Sequence, residues 1–340
     1  MSASLGELGR GEWLVHDLNA FELAQRAKRG TAKVREFTQS EPTNTDNRPT
    51  LIMRQGAIGD LLMLTPALAE FKTKNFSHPA LCCWPKHFDL FEGNRDLGGL
   101  IPYPLPADQI PFFKRIVSLE NTMESDHSQH ATDVFAKALG LSTPLPNYKP
   151  KYFVRDEEKE KVAPYLFKQR PNIVIQQRAS VANRDYPLDQ WLEVIVKLER
   201  RGWGVLLVGY KGQIPIIPRQ YQSPFIRDLS RHDLTFREIA SVLAQSQAFC
   251  GVDSAFAHLA HALDIPAVVL FGAFDWKTRT AHAPKTIAIS GNGDCAPCSW
   301  HFHANQMFPP NKPCTAIQRC VVLAGIPPER IVSKISLIKP

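Results

Sequence analysis

The 340-residue sequence lacks a long hydrophobic run and a targeting signature. No stretch of about 18 apolar residues occurs, which argues against a membrane-spanning helix. The opening segment MSASLGELGRGEWLVHDLN has no basic stretch followed by an apolar one, so we do not expect a secretory signal. The sequence therefore predicts a cytoplasmic location.

Positive charge is in excess but is not concentrated. Forty Lys and Arg residues face 33 Asp and Glu residues, which gives a net charge of +7. This balance suits an anionic partner such as a nucleotide or a phosphorylated glycan. The basic residues are dispersed over segments such as FKQR and LERRG, so nucleic acid is not expected as a partner.

Strand-like and helix-like segments alternate in two blocks. The first block contains LIMRQ, ALCCWP and the helical HATDVFAKALGL, and its Pro-rich part GGLIPYPLPADQIPFFKR is expected to be irregular. The second block contains NIVIQQ, WGVLLVGY, AFCGVD, IPAVVLFG and TIAIS, with amphipathic helices between them. Such alternation predicts an α/β fold with two parallel sheets.

The same patterns divide the chain into domains. Residues 1–50 are expected to form a helical extension and a polar linker. A first domain is predicted over 51–165 and a second over 166–340, with the charged PKYFVRDEEKEKVAPYLFKQRP between them. Ligands of parallel-sheet domains bind at the carboxyl ends of strands, so motifs at those ends are the candidate sites.

The segment GAIGD follows the first strand. Gly56 and Gly59 permit a tight turn, and a helix is expected after Asp60. Asp60 could cap this helix, lie beside an anion site or act as a base. The segment does not match G-x-G-x-x-G, so it does not indicate a dinucleotide site.

The segment CGVDSAFAHLAH places a strand end at Asp253 and a helix start at Ser254. Ser254 is expected to cap the helix, and the backbone amides of Ser254, Ala255 and Phe256 would face a diphosphate. His258 and His261 could share a metal, but no carboxylate accompanies them, and a packed or solvated helix histidine is the plainer interpretation.

The segment QQRASVANRDYPLDQW carries two arginines after another predicted strand. At a strand end, Arg178 and Arg184 could clamp a phosphate, because a guanidinium binds phosphate through two parallel hydrogen bonds. Two solvent-exposed arginines would give the same pattern.

Four of the seven cysteines are close together near the C-terminus, with the spacing C-x2-C-x15-C-x5-C. They are Cys295, Cys298, Cys314 and Cys320. The spacing fits a structural zinc or iron site on a finger over about 291–322, with His301 or His303 as substitute ligands; four buried free thiols are the alternative. Four thiolates close the coordination shell, so a catalytic metal is not expected.

Five segments in order resemble glycosyltransferase family 9: GAIGDLLMLTPAL, YPLDQW, LLVGYKGQ, GVDSAFAHLAHALDIPAVVLFG and the C-terminal cysteine segment. This family contains ADP-heptose-dependent heptosyltransferases of lipopolysaccharide synthesis and relatives that glycosylate autotransporter proteins. The resemblance covers roughly 51–340. It implies a GT-B fold, in which two Rossmann-like domains face a cleft, and an inverting reaction without a catalytic metal.

The resemblance also implies roles for particular residues. Asp60 matches the proposed general base, and Arg184 matches a basic residue that contacts donor phosphate. Asp253, Ser254 and His258 match the donor motif D-[ST]-G-x-x-H.

Two single positions and one short segment depart from the family pattern. Ala255 replaces the expected glycine, and Gln213 replaces a glutamate associated with the nucleotide ribose. GAFDW stands where the family has GPTDP. These departures bear on the identity of the donor and on activity itself.

The resulting hypothesis is an inverting transfer of a sugar, heptose from ADP-heptose, to a hydroxyl of a glycan or protein. Asp60 would take the hydroxyl proton, and we expect it to be partly buried. Arg184, Arg178 and the amides after Asp253 would stabilise the leaving diphosphate. The sequence contains no D-x-D motif that would hold a metal ion.

Two other interpretations stay open from the sequence. One is an inactive GT-B-like binding or assembly protein that uses its cysteine finger. The other is a zinc-ribbon nucleic-acid binder, which is disfavoured because the finger offers only Lys312 and Arg319 as cations. The sequence decides neither for nor against a homo-oligomer or a peripheral membrane contact.

Overall fold

The computed structural model describes residues 6–7, 13–14, 46–125, 128–180, 184–209, 217–298 and 320–338. These fall into two compact units, Met1–Phe153 and Val154–Pro340. Within these ranges, no helix has the length and apolar character needed to cross a membrane. The helices expected within residues 1–50 lie outside the described part, which there contains the antiparallel strands β1 (Gly6–Glu7) and β2 (Trp13–Leu14).

The first unit contains a parallel sheet of four strands in the order β5-β4-β3-β6. The strands are β3 (Thr50–Met53), β4 (Ala80–Cys83), β5 (Gly99–Pro102) and β6 (Arg115–Ser118). Its described helices are α1 (Ile58–Asn75), α2 (Thr122–Ser125) and α3 (Ala131–Ala138). The central strand β4 is apolar and fully buried, and Thr50, Leu51 and Ile52 of β3 are buried, as a sheet covered on both faces requires.

The Pro-rich segment of this unit is more regular than expected. It contains β5 and a 3₁₀ helix, Ala107–Phe112, and it leads into β6. β5 lies at the edge of the sheet, where a proline such as Pro102 removes no ladder bond that the fold needs. Pairing with β4, which is distant in sequence, overrides the local signal of the prolines.

The second unit contains a parallel sheet of six strands in the order β12-β11-β10-β7-β8-β9. The strands are β7 (Asn172–Gln176), β8 (Gly204–Val208), β9 (Ile226–Asp228), β10 (Ala248–Val252), β11 (Ala267–Phe271) and β12 (Thr286–Ser290). The α/β class with two parallel sheets is therefore confirmed.

Seven described helices accompany this sheet. They are α4 (Asp156–Val162), α5 (Leu188–Arg200), α6 (Phe236–Ala244), α7 (Ala255–Ala262), α8 (Trp276–Thr280), α9 (Val321–Ala324) and α10 (Pro328–Ile335). The predicted capping box is present at α6, where the Thr235 hydroxyl accepts the Glu238 N–H and the Glu238 carboxylate accepts the Thr235 N–H.

The strand order defines one switch point in each sheet. In the first unit the chain adds β4 and β5 on one side of β3, then β6 on the other. In the second unit it adds β8 and β9 on one side of β7, then β10 to β12 on the other. Open α/β sheets bind ligands outside the carboxyl ends of the strands at such points. The predicted site residues follow β3, β7 and β10, which border the two switch points.

Candidate active site

A tight turn joins β3 to α1. Gly56 has a φ of +42°, and a Cβ there would lie 3.3 Å from the Arg54 side chain, so the turn requires glycine. Helix α1 begins at Ile58, earlier than expected, and Ala57 occupies its N-cap position. Asp60 therefore lies inside the first turn and is not the N-cap residue.

The two carboxylate oxygens of Asp60 have different surroundings. Oδ2 accepts hydrogen bonds from Arg54 Nη2 at 2.9 Å and from the Ala57 N–H at 3.4 Å. Among the residues that the structure describes, Oδ1 has no hydrogen-bond partner. The side chain is 17% exposed, which agrees with the expected partial burial. One oxygen is thus anchored, and the other is available to a substrate.

The buried side chain of Arg54 fixes the position of the Asp60 carboxylate. It is 1% exposed, its Nη1 donates to the Leu119 carbonyl at 2.9 Å, and its guanidinium carbon lies 5.4 Å from the centre of the Phe135 ring. Its Nη1 is also 4.0 Å from Glu120 Oε2, and Glu120 accepts the Gln55 N–H. Sequence reasoning missed Arg54 and Glu120, although a charged residue at the end of the buried strand LIMRQ was a usable signal.

His87 supports the same turn from the other side. The residue is buried, and its imidazole forms a hydrogen bond with the Gly56 backbone. Burial, aided by the charge of Lys86, lowers the pKa of His87 to about 4. The imidazole is therefore neutral at physiological pH, and the turn adjoins a neutral ring.

The second switch point contains the predicted donor residues. β10 leads through Asp253 and Ser254 into α7, which begins at Ala255. Ser254 occupies the predicted N-cap position, but its hydroxyl donates to Gln176 Oε1 and forms no cap hydrogen bond with the helix. The first N–H groups of a helix have no acceptor within the helix, so those of α7 remain suited to an anion.

Two further polar side chains, those of Asp253 and His258, lie at this turn. Asp253 is 5% exposed, and its Oδ2 has no hydrogen-bond partner within the described residues. His258 and Ala255 both lie in the first turn of α7 and are partly exposed. Gln213 lies outside the described residues.

Arg184 and the α7 turn are brought together by a direct contact. Nη1 of Arg184 donates to the Asp253 carbonyl at 3.1 Å, and Nη2 donates to Ser180 Oγ at 3.2 Å. Arg184, which comes after β7, and Asp253, which follows β10, therefore meet although they are 69 positions apart in the sequence. Arg178, which follows β7, is partly exposed.

Asp185 and a buried aromatic pair, Tyr186 and Trp191, anchor the chain next to Arg178 and Arg184. Sequence reasoning missed the contacts of these three residues. Asp185 accepts the Ala179 N–H at 2.8 Å, and burial raises the pKa of its carboxyl against the opposing charges of the two nearby arginines. Tyr186 donates to the Ile326 carbonyl at 2.6 Å, and Trp191 donates to the Gln177 carbonyl at 3.0 Å. The two rings pack edge to face with centroids 5.2 Å apart.

Three of the four finger cysteines are described, none of them in a disulfide, and Cys314 lies outside the described residues. Burial raises the pKa of Cys320, and the charges of Cys295 and Cys298 add to this effect. Two backbone N–H groups at the start of α9 oppose it by donating to the Cys320 sulfur. Among the described residues, Cys295, Cys298 and Cys320 do not form a group of ligand atoms within 4.8 Å of one another, so no assembled cysteine site is seen there. Thiols with amide donors are nevertheless a type of donor that suits a structural metal.

A match to a protein-family model shows the family to which this chain belongs. Residues 109–307, more than half of the chain, match the model of glycosyltransferase family 9 (heptosyltransferase). The chain belongs to glycosyltransferase family 9. The matched range contains the residues at the α7 turn and the two arginines, whereas Asp60 lies before it.

Two curated relatives are heptosyltransferases. Lipopolysaccharide heptosyltransferase 1 of Pseudomonas aeruginosa is 26% identical over 174 residues, which are 50% of this chain and 47% of that protein. Lipopolysaccharide heptosyltransferase 3 of Escherichia coli is 32% identical over 108 residues, 30% of this chain and 32% of that protein. The chain thus matches about half of one relative and about a third of the other.

Solved structures share the fold. E. coli ADP-heptose lipopolysaccharide heptosyltransferase II has a TM-score of 0.66 at 16% identity, over 85% of this chain and 98% of that chain. The dodecameric iron-containing glycosyltransferase TibC of enterotoxigenic E. coli has a TM-score of 0.65 at 17% identity, over 86% and 76%. Both likenesses agree with the expected GT-B class.

The buried His87 makes stability depend on pH. An unfolded histidine titrates near 6.5 and His87 near 4, so between these values the unfolded chain binds a proton that the folded protein excludes. The free energy of unfolding should stay level above pH 6.5. It should fall by about 2 kcal/mol as the pH drops to 4, less than the full shift would give, because the imidazole keeps some solvent contact.

Denaturant unfolding between pH 4 and 8 measures this dependence. His87→Gln, which keeps a hydrogen-bonding group and cannot titrate, should flatten the profile between pH 6.5 and 4. His78→Gln, at an exposed position of the same unit, should leave the profile unchanged. Equal slopes in all three proteins would contradict the assignment.

Proposed function

We propose that this protein is an inverting glycosyltransferase that moves heptose from ADP-heptose to a hydroxyl group of a glycan or protein acceptor. Membership of the family supports sugar transfer. The names of the curated relatives support heptose as the sugar, and TibC has been solved in complex with ADP-D-beta-D-heptose. The inactive binding protein considered from the sequence has no comparable support.

The division of labour between the two oxygens of Asp60 carries the proposal for catalysis. Arg54 and the Ala57 N–H bind Oδ2, which fixes the carboxylate without occupying Oδ1. In the transfer, the acceptor hydroxyl gives its proton to Oδ1 while its oxygen bonds to the anomeric carbon of the sugar. The bond from that carbon to the diphosphate oxygen breaks with its electron pair, and the configuration inverts.

The second switch point supplies groups that suit the departing diphosphate. Arg184 is held by the Asp253 carbonyl and Ser180, so its guanidinium is fixed before the charge develops. The N–H groups at the start of α7 add partial positive charge. Ala255 in place of glycine adds a methyl group at this turn, which would limit how closely the diphosphate approaches.

Asp60→Asn tests the base directly. The amide keeps the size of the side chain but cannot accept the proton, so kcat should fall by a factor of about 10² to 10⁴. Calorimetry should find the affinity for ADP unchanged, because the donor residues lie in the other unit. Asp89→Asn, an exposed change in the same unit, is the matched control and should keep full activity. A kcat of Asp60→Asn within a few-fold of the unsubstituted protein would refute the base assignment.

We also propose that Cys295, Cys298, Cys314 and Cys320 hold a structural iron or zinc ion. The spacing of the four cysteines in the sequence and the amide donors at Cys320 support it, as does the iron content of the similar structure TibC. Four thiolates would leave no open coordination position, so the ion would stabilise the finger and take no part in the transfer.

Elemental analysis of the purified protein tests the metal proposal. About one ion per chain is expected, with loss of metal and a lower melting temperature in Cys295→Ser, since binding energy at such sites contributes to folding. Cys82→Ala, at a buried thiol in β4, should keep the metal. Metal-free protein, or equal metal content in both variants, would contradict the proposal.

A further inference from the structure

An aromatic pair stands at the carboxyl edge of the first sheet. Trp84 directly follows β4, and Tyr103 directly follows β5. Their ring centroids are 4.9 Å apart with the planes at 71°, and both residues are partly exposed. Neither is used by the transfer chemistry described above.

The strand order places this pair beside the turn that carries Asp60. β4 neighbours β3 and β5 neighbours β4, so the pair lies about 5 to 10 Å along the sheet edge from the end of β3. Hydrogen bonds from the Arg54 N–H to the Cys82 carbonyl (3.0 Å) and from the Tyr103 N–H to the Cys83 carbonyl (2.9 Å) keep the strand ends level.

His87 joins the pair to the same turn. Its backbone N–H donates to the Trp84 carbonyl at 2.9 Å, and its imidazole contacts the Gly56 backbone. Tyr103 in turn packs against the core cluster that includes Leu51 and Ile101. The pair is therefore held on both sides, while part of its surface stays exposed.

The Tyr103 phenol can donate a hydrogen bond. Burial and the charge of Glu120 raise the pKa of Tyr103, so the phenol keeps its proton. An aromatic surface with a hydroxyl donor matches a sugar ring, which has apolar C–H faces and a rim of hydroxyls. Asp60 and Glu120 flank Arg54, and their charges disfavour an anionic ring at this edge.

We propose that Trp84 and Tyr103 form an acceptor subsite for a neutral sugar, one unit away from the sugar whose hydroxyl meets Asp60. This rests on the proposed function and narrows it, because it makes the acceptor a glycan of at least two units. The sugar stacks on the aromatic pair, and one of its hydroxyls accepts a hydrogen bond from the Tyr103 phenol.

Saturation-transfer NMR titrations with maltose, cellobiose and lactose, without donor, test the subsite. The unsubstituted protein should bind at least one of these neutral disaccharides. Trp84→Leu keeps apolar volume but has no aromatic face, and it should raise the Kd about tenfold, the effect of losing one stacking contact. Trp84→Phe should restore binding, and Trp276→Leu, at an exposed tryptophan of the other unit, should not alter it.

Two results would overturn the subsite: no disaccharide binds, or Trp84→Leu binds as well as the unsubstituted protein. If Trp84→Leu does not fold, Tyr103→Phe serves instead; it keeps the ring, loses the hydroxyl and should weaken binding. Asp60→Asn should still bind the disaccharide. Failure of the base assignment would thus appear in turnover alone, and failure of the subsite would appear in the titration.

Discussion

The buried guanidinium of Arg54 is the constraint on which the first unit depends. A lone charge at 1% exposure would cost several kcal/mol, so its partners must be held in place. Asp60, the Leu119 carbonyl and Glu120 surround it, and they come from the first turn of α1 and from the segment that directly follows β6. The positive φ of Gly56 lets the chain pass close over the arginine. The proposed catalytic geometry and the local stability therefore depend on the same ion pair.

The two units share one feature of sheet topology but carry side chains of opposite charge at the carboxyl ends of their strands. Each sheet reverses its strand order once, and the reversal leaves two strand ends facing a ligand. In the first unit that edge carries carboxylates, which suit a proton leaving a hydroxyl. In the second unit it carries arginines and helix N–H groups, which suit a diphosphate. The family match over residues 109–307 includes the residues at the edge of the second sheet. Asp60 lies before the matched range, so the role proposed for the first edge depends on the geometry around Asp60.

Sequence reasoning recovered what is encoded locally. Apolar runs between helical patterns gave the two parallel sheets, and the Thr235 capping box needs only four residues. It failed where contacts between residues distant in the sequence determine the local structure. The prolines around β5 indicated an irregular chain, yet pairing with β4 makes a strand. Ser254 suggested a helix cap, yet Gln176, 78 positions away, takes its hydroxyl. Arg54 meets Leu119 across 65 positions, and no local pattern announces that contact.

In the proposed mechanism, Arg54 holds Asp60 by one carboxylate oxygen and leaves the other for the acceptor proton. Steady-state kinetics of Arg54→Gln with a saturating acceptor test this arrangement. We expect kcat to fall about a hundredfold while the donor KM stays within about twofold, because a mobile carboxylate loses the alignment that general-base catalysis needs. A folded Arg54→Gln protein with unchanged kcat would contradict it.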